Sequence, residues 1–339
     1  MPLDDGGILE DGLSMRIIES ISQLNKTGCV LSIGNFDGVH IGHSQILAVA
    51  KETAARRGTE LVVLTFEPHP VMVLQPHKGI GVLTPMALKQ HLLKQAGVDT
   101  LVVLNCDVEL LSLSARDFVN RVLLDGIEPS VIVEGENFHF GAGRSGNVDV
   151  LRQLGAEAGF EIIVVEPEMV RLARGQIRSS SSLIRHLLQT GQVVDADAAL
   201  GRPYKLFGQV VVGKGKGKRL GFPTANIEPS DEIIPADGVY AGFVAIAESR
   251  DEICKTAAKQ LAALSIGRSR TYGADNPLLV EAHILEGKVD ELYGKWLAMD
   301  FVGRIRDQKK FKTEKDLAEK IATDCEKARE LLNDYHDKK

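Results

Sequence analysis

His40 and His43 lie three residues apart in a segment whose other residues suit the holding of an anion, Gly34-Asn35-Phe36-Asp37-Gly38-Val39-His40-Ile41-Gly42-His43. Its three glycines let backbone N–H groups come close to a ligand, and a helix N-terminus adds partial positive charge where phosphate oxygens would lie. The segment follows the β-branched run Val30-Leu31-Ser32-Ile33 and precedes Ser44–Arg57, which has the pattern of a helix. If both histidines fall in the first helical turn, they face one ligand. The glycine spacing matches neither the Gly-x-x-x-x-Gly-Lys-Ser/Thr loop nor the dinucleotide Gly-x-Gly-x-x-Gly. A tight turn with two surface histidines is the plain alternative. A His/His zinc site is the other, and no cysteine or carboxylate stands at ligand spacing to support it.

Three further stretches could do chemistry. Thr65-Phe66-Glu67-Pro68-His69-Pro70 ends an apolar run, and its prolines stop a central strand, so it reads as a loop at the strand's carboxyl edge. Arg178-Ser179-Ser180-Ser181-Ser182-Leu183-Ile184-Arg185 opens an amphipathic helix; an N-cap explains one serine, and the others with Arg185 one turn inside point to a second anion cradle. The alternation Gly213-Lys214-Gly215-Lys216-Gly217-Lys218 runs into Arg219-Leu220-Gly221-Phe222-Pro223-Thr224-Ala225-Asn226-Ile227. Taken alone, it is a basic flexible loop, a solvated linker or a small nucleic-acid patch.

The elements that must position these groups follow two regimes. Short apolar runs at Val30–Ile33, Glu60–Phe66, Thr100–Leu104, Val131–Glu134 and Glu161–Val165 alternate with helical stretches at Ser44–Arg57, Pro85–Ala96, Ala115–Asp125 and Val148–Ala158. That alternation predicts a doubly wound parallel sheet, with ligands beyond the carboxyl ends of the strands. After Arg202-Pro203 the helices stop. Tyr204–Val212, Gly238–Ala247, Ala262–Ile266, Leu278–Leu285 and Trp296–Val302 read as antiparallel strands of a small barrel, closed by a charged helix at Lys315–Tyr335.

The chain has 339 residues, enough for two ordinary domains. A formal charge of −6 argues against a general nucleic-acid binder. Cys29, Cys106, Cys254 and Cys325 are scattered without Cys-x-x-Cys pairing, as expected of free thiols in a reducing cytoplasm. No apolar run reaches the ~18–20 residues that span a membrane. Residues 1–15, acidic and glycine-rich, read as a flexible tail without the features of a signal peptide.

Phe36-Asp37-Gly38-Val39-His40-Ile41-Gly42-His43 resembles the His-x-Gly-His signature of nucleotidylyltransferases, and the chain as a whole resembles the bacterial bifunctional riboflavin kinase/FAD synthetase family. The resemblance implies an α/β adenylyltransferase domain over 16–202 and a riboflavin kinase barrel over 203–339. It implies ATP, riboflavin and FMN as substrates, Mg²⁺ as cofactor, and a monomer or weak homo-oligomer free of nucleic acid and membrane. His40 and His43 would stabilise charge on the phosphates, with Gly34, Phe36, Asp37, Gly38, Asn137, Ser181, Ser182 and Arg185 at the nucleotide, and Phe66, Pro70, Phe118, Phe138 and Phe140 at the flavin. In the second half, Gly213, Lys214, Gly221, Pro223, Thr224 and Asn226 would hold ATP, Thr224 and Asn226 the metal, and Glu281 would act as general base. Gly201-Arg202-Pro203-Tyr204 and Leu292-Tyr293-Gly294-Lys295 extend the resemblance. Asn137 and His139 stand where many relatives have Asp and Arg, and Ser269-Arg270 where many have Asn-Pro. That last departure motivates the alternative of a transferase with an impaired kinase domain.

Overall fold

The computed structural model describes residues 14–24, 28–78, 81–173, 175–213, 215–256, 259–268, 278–286 and 292–337. The chain forms two compact units: Met1–Phe36, His43–Lys78 and Leu92–Glu166 make one, and Asp37–Gly42, Gly79–His91 and Pro167–Lys339 the other.

The first unit is built on a parallel sheet of β1 (Arg16–Ile18), β2 (Val30–Ile33), β3 (Leu61–Glu67), β4 (Thr100–Asn105), β5 (Val131–Gly135) and β8 (Glu161–Val165). The two-residue strands β6 (His139–Phe140) and β7 (Gly146–Asn147) pair only with each other. The spatial order is β1-β4-β3-β2-β5-β8. From β2 the chain therefore builds one way through β3 and later the other way through β5, so the carboxyl end of β2, where Gly34 begins, is the switch point. Leu31, Leu64, Val102, Ile132, Phe118, Leu123 and Leu151 share one buried core. The β2 run is buried along its whole length, as a central parallel strand requires.

Connecting helices are α1 (Ile41–Arg57), α2 (Pro70–Leu74), α3 (Met86–Gln95), α4 (Val108–Ser112), α5 (Ala115–Phe118) and α6 (Val148–Ala158). Four differ from the sequence reading, α4 because no helix is expected there. α1 begins at Ile41, so His43 lies in its first turn and His40 precedes it. Pro70 opens α2 with His69 as N-cap, a position where a missing N–H costs nothing. The helix from Ala115 continues past Phe118 as a π-helix, Val119–Ile127, and ends on Glu128 at φ 56°. The edge strand β1 had no sequence counterpart.

In the second unit a hairpin, β9 (Met169–Leu172) and β10 (Gly175–Arg178), leads to α7 (Ser181–Gln189) and α8 (Val193–Leu200). A closed antiparallel barrel follows: β11 (Tyr204–Val211), β12 (Ala225–Pro229), β13 (Gly238–Ala247), β14 (Gln260–Arg268), β15 (Leu278–Ile284) and β16 (Trp296–Arg306), in the order β11-β12-β15-β14-β13-β16. Short helices α9 (Lys216–Arg219) and α10 (Arg250–Ile253) interrupt it, and α11 (Glu314–His336) lays Ala328 and Leu332 against Phe243 and Val302. Tyr204, Leu206, Tyr240, Leu264, Met299 and Phe301 belong to the barrel core, which extends to Ile184, Leu188 and Leu200 of the preceding helices. The sequence reading has one barrel strand fewer. It missed β12, which begins directly after the Gly-Phe-Pro-Thr stretch.

Candidate active sites

In the second unit the turn Asp37–Gly42 is held from several directions. The buried Asp37 carboxylate accepts hydrogen bonds from Leu83 N (2.9 Å), Thr84 N (3.1 Å) and Thr84 Oγ1 (3.3 Å), and it pairs with Arg185. Gly38 N donates to Thr84 Oγ1 at 3.0 Å, and Ser181 Oγ donates to the Asp37 carbonyl at 2.8 Å. Arg202 donates to the carbonyls of Gly38 (2.5 Å) and Val39 (3.1 Å). Gly38 adopts φ 92°, which only glycine tolerates well. At Gly42 a Cβ would lie 3.2 Å from the His40 ring, so glycine there lets the imidazole lie against the helix start.

His40 is 6% exposed. Burial, followed by the nearby cations of Arg202 and Arg178, pushes its imidazole down to about 4. At neutral pH it is therefore uncharged and offers an N–H rather than a cation. The N-cap of α7 is Ser180, which accepts from Leu183 N. Ser181 thus starts the helix, and Ser182, at its second position, is exposed.

The first unit carries the remaining transferase candidates. Phe36 is buried with φ 45°, and its ring centroid lies 5.1 Å from that of His43. Phe138 stacks on Phe140 at 5.5 Å, and Phe140 meets Phe118 at 5.8 Å. Phe118 and Phe140 are core residues, whereas Phe138 and Phe66 are partly buried and pack on that core. His139 bonds the Asn137 carbonyl through Nδ1 at 2.8 Å, and Arg144 brings a guanidinium to the same ring at 3.1 Å.

The barrel gathers a second set. Asn226 on β12 sits opposite Glu281 on β15, and Thr224 Oγ1 donates to Glu281 at 3.3 Å. His283, two residues along from Glu281, bonds the Pro223 carbonyl through Nδ1 at 2.7 Å and stands edge-on to Phe222. A Cβ on Gly213 would fall 2.0 Å from the Asn226 amide nitrogen, and one on Gly217 2.4 Å from the Phe222 carbonyl. Gly213 and Gly217 therefore lie close against the 222–226 segment, and Gly221 adopts φ 85°. Lys214 and Ser269-Arg270 lie outside the described residues. Among the described residues no cluster of three His, Cys, Asp or Glu side chains could hold a metal ion. Thr224 and Asn226 offer oxygen donors instead, of the kind that fits Mg²⁺ bound partly through phosphate.

Two families match successive parts of the chain. Residues 22–181 match the FAD synthetase family, and residues 200–332 match the riboflavin kinase family. A bifunctional riboflavin kinase/FMN adenylyltransferase of Escherichia coli is 32% identical over 318 residues, covering 94% of this chain and 97% of that protein. The chain belongs to the bifunctional riboflavin kinase/FMN adenylyltransferase family. A protein of the same name from Pseudomonas fluorescens is also 32% identical, over 94% of this chain and 98% of its own. A solved structure from Streptococcus pneumoniae, named a macrolide-efflux protein, superposes with a TM-score of 0.80 at 28% identity, covering 93% of this chain and 98% of that one. Among the described residues no helix is long and apolar enough to cross a membrane.

Membership in this family makes the chain a two-activity enzyme, with ATP, riboflavin and FMN as the small molecules its domains take. The presence of both matches favours the bifunctional reading over a transferase alone. Sequence reasoning named Asp37, Gly38, Ser181 and Arg185 from distant stretches, and they meet in one unit. It missed Thr84 and assigned no role to Arg202 or His283. A lone threonine before a helix carries no signal, whereas Arg202 stands inside the Gly201-Arg202-Pro203-Tyr204 stretch and His283 two residues from Glu281.

Proposed function

We propose that the His40–His43 segment stabilises the triphosphate of ATP during adenylyl transfer, and that Thr224, Asn226 and Glu281 serve the kinase reaction. In the transfer, a phosphate oxygen of FMN attacks the α-phosphorus of ATP. The bond to pyrophosphate breaks as the new P–O bond forms, giving FAD and pyrophosphate. The FMN phosphate is already anionic, so no residue has to take a proton from it. His40 and His43 donate N–H groups to phosphate oxygens as charge moves to the leaving pyrophosphate. Gly34, Phe36 and Gly38 shape the backbone around the nucleotide, Ser181, Ser182 and Arg185 add donors, and Asn137 lies at the nucleotide. Phe66, Pro70, Phe118, Phe138 and Phe140 form the flavin side, Phe118 and Phe140 by supporting Phe138. The observation that carries this reading is the fixed turn itself: donors already held in place need no reorganisation when charge develops.

In the kinase reaction Glu281 takes the proton of the ribityl 5′-hydroxyl while that oxygen attacks the γ-phosphorus of ATP, and ADP leaves. Gly213, Lys214, Gly221 and Pro223 cover the nucleotide. Thr224 and Asn226 would hold Mg²⁺, which when bound neutralises charge on the β- and γ-phosphates. The transferase occupies 16–202 and the kinase 203–339. The acidic balance and four free, buried cysteines support a cytoplasmic enzyme that binds no nucleic acid, as a monomer or weak homo-oligomer.

The test follows FMN and FAD over time with riboflavin, ATP and Mg²⁺. His43→Ala is expected to accumulate FMN without FAD. Asn226→Ala is expected to make no FMN, yet to form FAD from supplied FMN. Unimpaired FAD synthesis in His43→Ala, or loss of both reactions in either variant, contradicts the assignment.

A further inference from the structure

Val39, at the centre of the phosphate turn, is β-branched and has φ 38°. That left-handed conformation is unfavourable for such a residue and persists only where the surroundings over-determine it. The side chain that meets it is Arg202, which lies beyond the FAD synthetase match and near the start of the riboflavin kinase match. Its guanidinium donates to the carbonyls of Gly38 (2.5 Å), Val39 (3.1 Å) and Leu200 (3.3 Å). In a trans peptide the C=O and N–H point in opposite directions. Drawing the Gly38 and Val39 carbonyls onto one cation therefore turns the N–H groups of Val39 and His40 toward the other face. Successive amides aimed to one side form a concavity suited to an anion.

Arg202 is also a charge. Burial pulls its guanidinium down to about 10, against the opposing influence of Asp300 and Asp197, so it is a cation at neutral pH. It is the strongest charged influence on His40, ahead of Arg178. Geometry and charge thus act on the same few atoms.

We propose that Arg202 is a positioning residue for adenylyl transfer: by holding the Gly38 and Val39 carbonyls it sets the orientation in which the turn and His40 meet the ATP phosphates. Arg202, the last residue of the 16–202 segment and already inside the riboflavin kinase match, is then part of the transferase. The inference rests on the role given above to the His40–His43 segment.

The experiment uses the full chain and measures both reactions on Arg202→Met and Arg202→Lys, with His40→Ala alongside. Riboflavin phosphorylation serves as an internal control for folding. Arg202→Met is expected to lower kcat/KM for ATP in FAD synthesis by roughly tenfold or more, with the KM for FMN and both kinase constants within about twofold. Arg202→Lys keeps the charge but replaces the planar fork with a point donor, so an intermediate loss confined to FAD synthesis is expected. FAD synthesis within about twofold of the parent in Arg202→Met overturns the proposal. So does a parallel fall in both reactions in both variants, which marks a purely structural role. If Arg202→Met does not fold, Arg202→Lys decides: a selective loss supports the proposal and unchanged FAD synthesis overturns it. Unchanged FAD synthesis in His40→Ala would instead remove the role of the turn, a failure distinct from that of Arg202.

Discussion

Arg185 and Asp37 form an ion pair across 148 residues of sequence, with the carboxylate side chain 2% exposed and the guanidinium 17%. Family resemblance assigns both to the nucleotide, and here each also holds the other. Asp37 keeps three further donors from Leu83 and Thr84, so its charge is compensated by the chain alone. Arg185 links α7 to the turn through Asp37, and to the segment before Leu83 through the Gly81 carbonyl at 3.3 Å.

Arg185→Met removes the only cation paired with Asp37 among the described residues and leaves a buried carboxylate short of one partner. Breaking a buried pair on one side costs about 3–5 kcal/mol, more than a surface bridge could. The variant is expected to unfold at a lower midpoint and to lose FAD synthesis, and Arg185→Lys to recover most of the stability but less of the activity. Denaturation of the full chain, followed beside pyrophosphate release, checks both. An unchanged midpoint would show that the pair does not hold the turn.

Much of the arrangement was legible because period and composition carry it. The run Val30–Ile33 is apolar except for Ser32 and buried throughout, as a strand covered on both faces must be, and the glycines after it announce a close backbone approach. What could not be read depends on distance in sequence. Nothing local to Asp37 says that its partners are Thr84 and Arg185, because a buried carboxylate and a surface one have the same letter. β1 is short and half-exposed, so it offers too few apolar residues for a pattern. β12 is hidden because Asn226 and Glu228 alternate with Ala225 and Ile227 directly behind a proline turn, where polar residues read as loop. The serine cluster reads as one N-cap and an anion cradle, and which serine caps required coordinates: Ser180 caps, and Ser181 bonds the turn.

Glu134 offers a prediction about pH. It is buried in β5 beside β2, where the paired register ends after Leu31 and Ile132. Its carboxyl takes over from the ladder, accepting from Ile33 N and from Ser32 Oγ. Burial pushes its pKa up to about 8, against the lowering influence of those two donors. The folded chain therefore holds a proton that the unfolded chain, titrating near 4.5, has released. Stability from this group is fully present below the unfolded value and is lost as pH rises through about 8. Glu134→Gln stays neutral, and its carbonyl can accept the same two hydrogen bonds. Across pH 6.5–8.5 the variant's melting temperature is expected to fall less than the parent's, by roughly 3 °C or more over the range. Parallel curves for the two proteins would mean that Glu134 does not carry the proton.

Gly213 isolates the kinase site without touching a reacting group. A Cβ at this position would lie 2.0 Å from the Asn226 amide nitrogen, 2.4 Å from its Cγ and 2.8 Å from its Oδ1. Contacts that short cannot persist, so in Gly213→Ala either the Asn226 side chain swings away or the loop lifts off β12. Both displace an oxygen donor assigned to the metal, and a displacement on the order of 1 Å in a positioning group can cost roughly a hundredfold in rate. Gly213→Ala is therefore expected to lose FMN formation and to raise the Mg²⁺ concentration needed for half-maximal rate. Alanine adds one methyl group on a partly exposed loop, so the barrel and its melting temperature should be unaffected. FAD synthesis from supplied FMN should also persist, because the atoms a Gly213 Cβ would crowd belong to Asn226, assigned to the kinase reaction. Kinase activity equal to the parent's at all Mg²⁺ concentrations would show that the loop need not lie against Asn226 during the reaction.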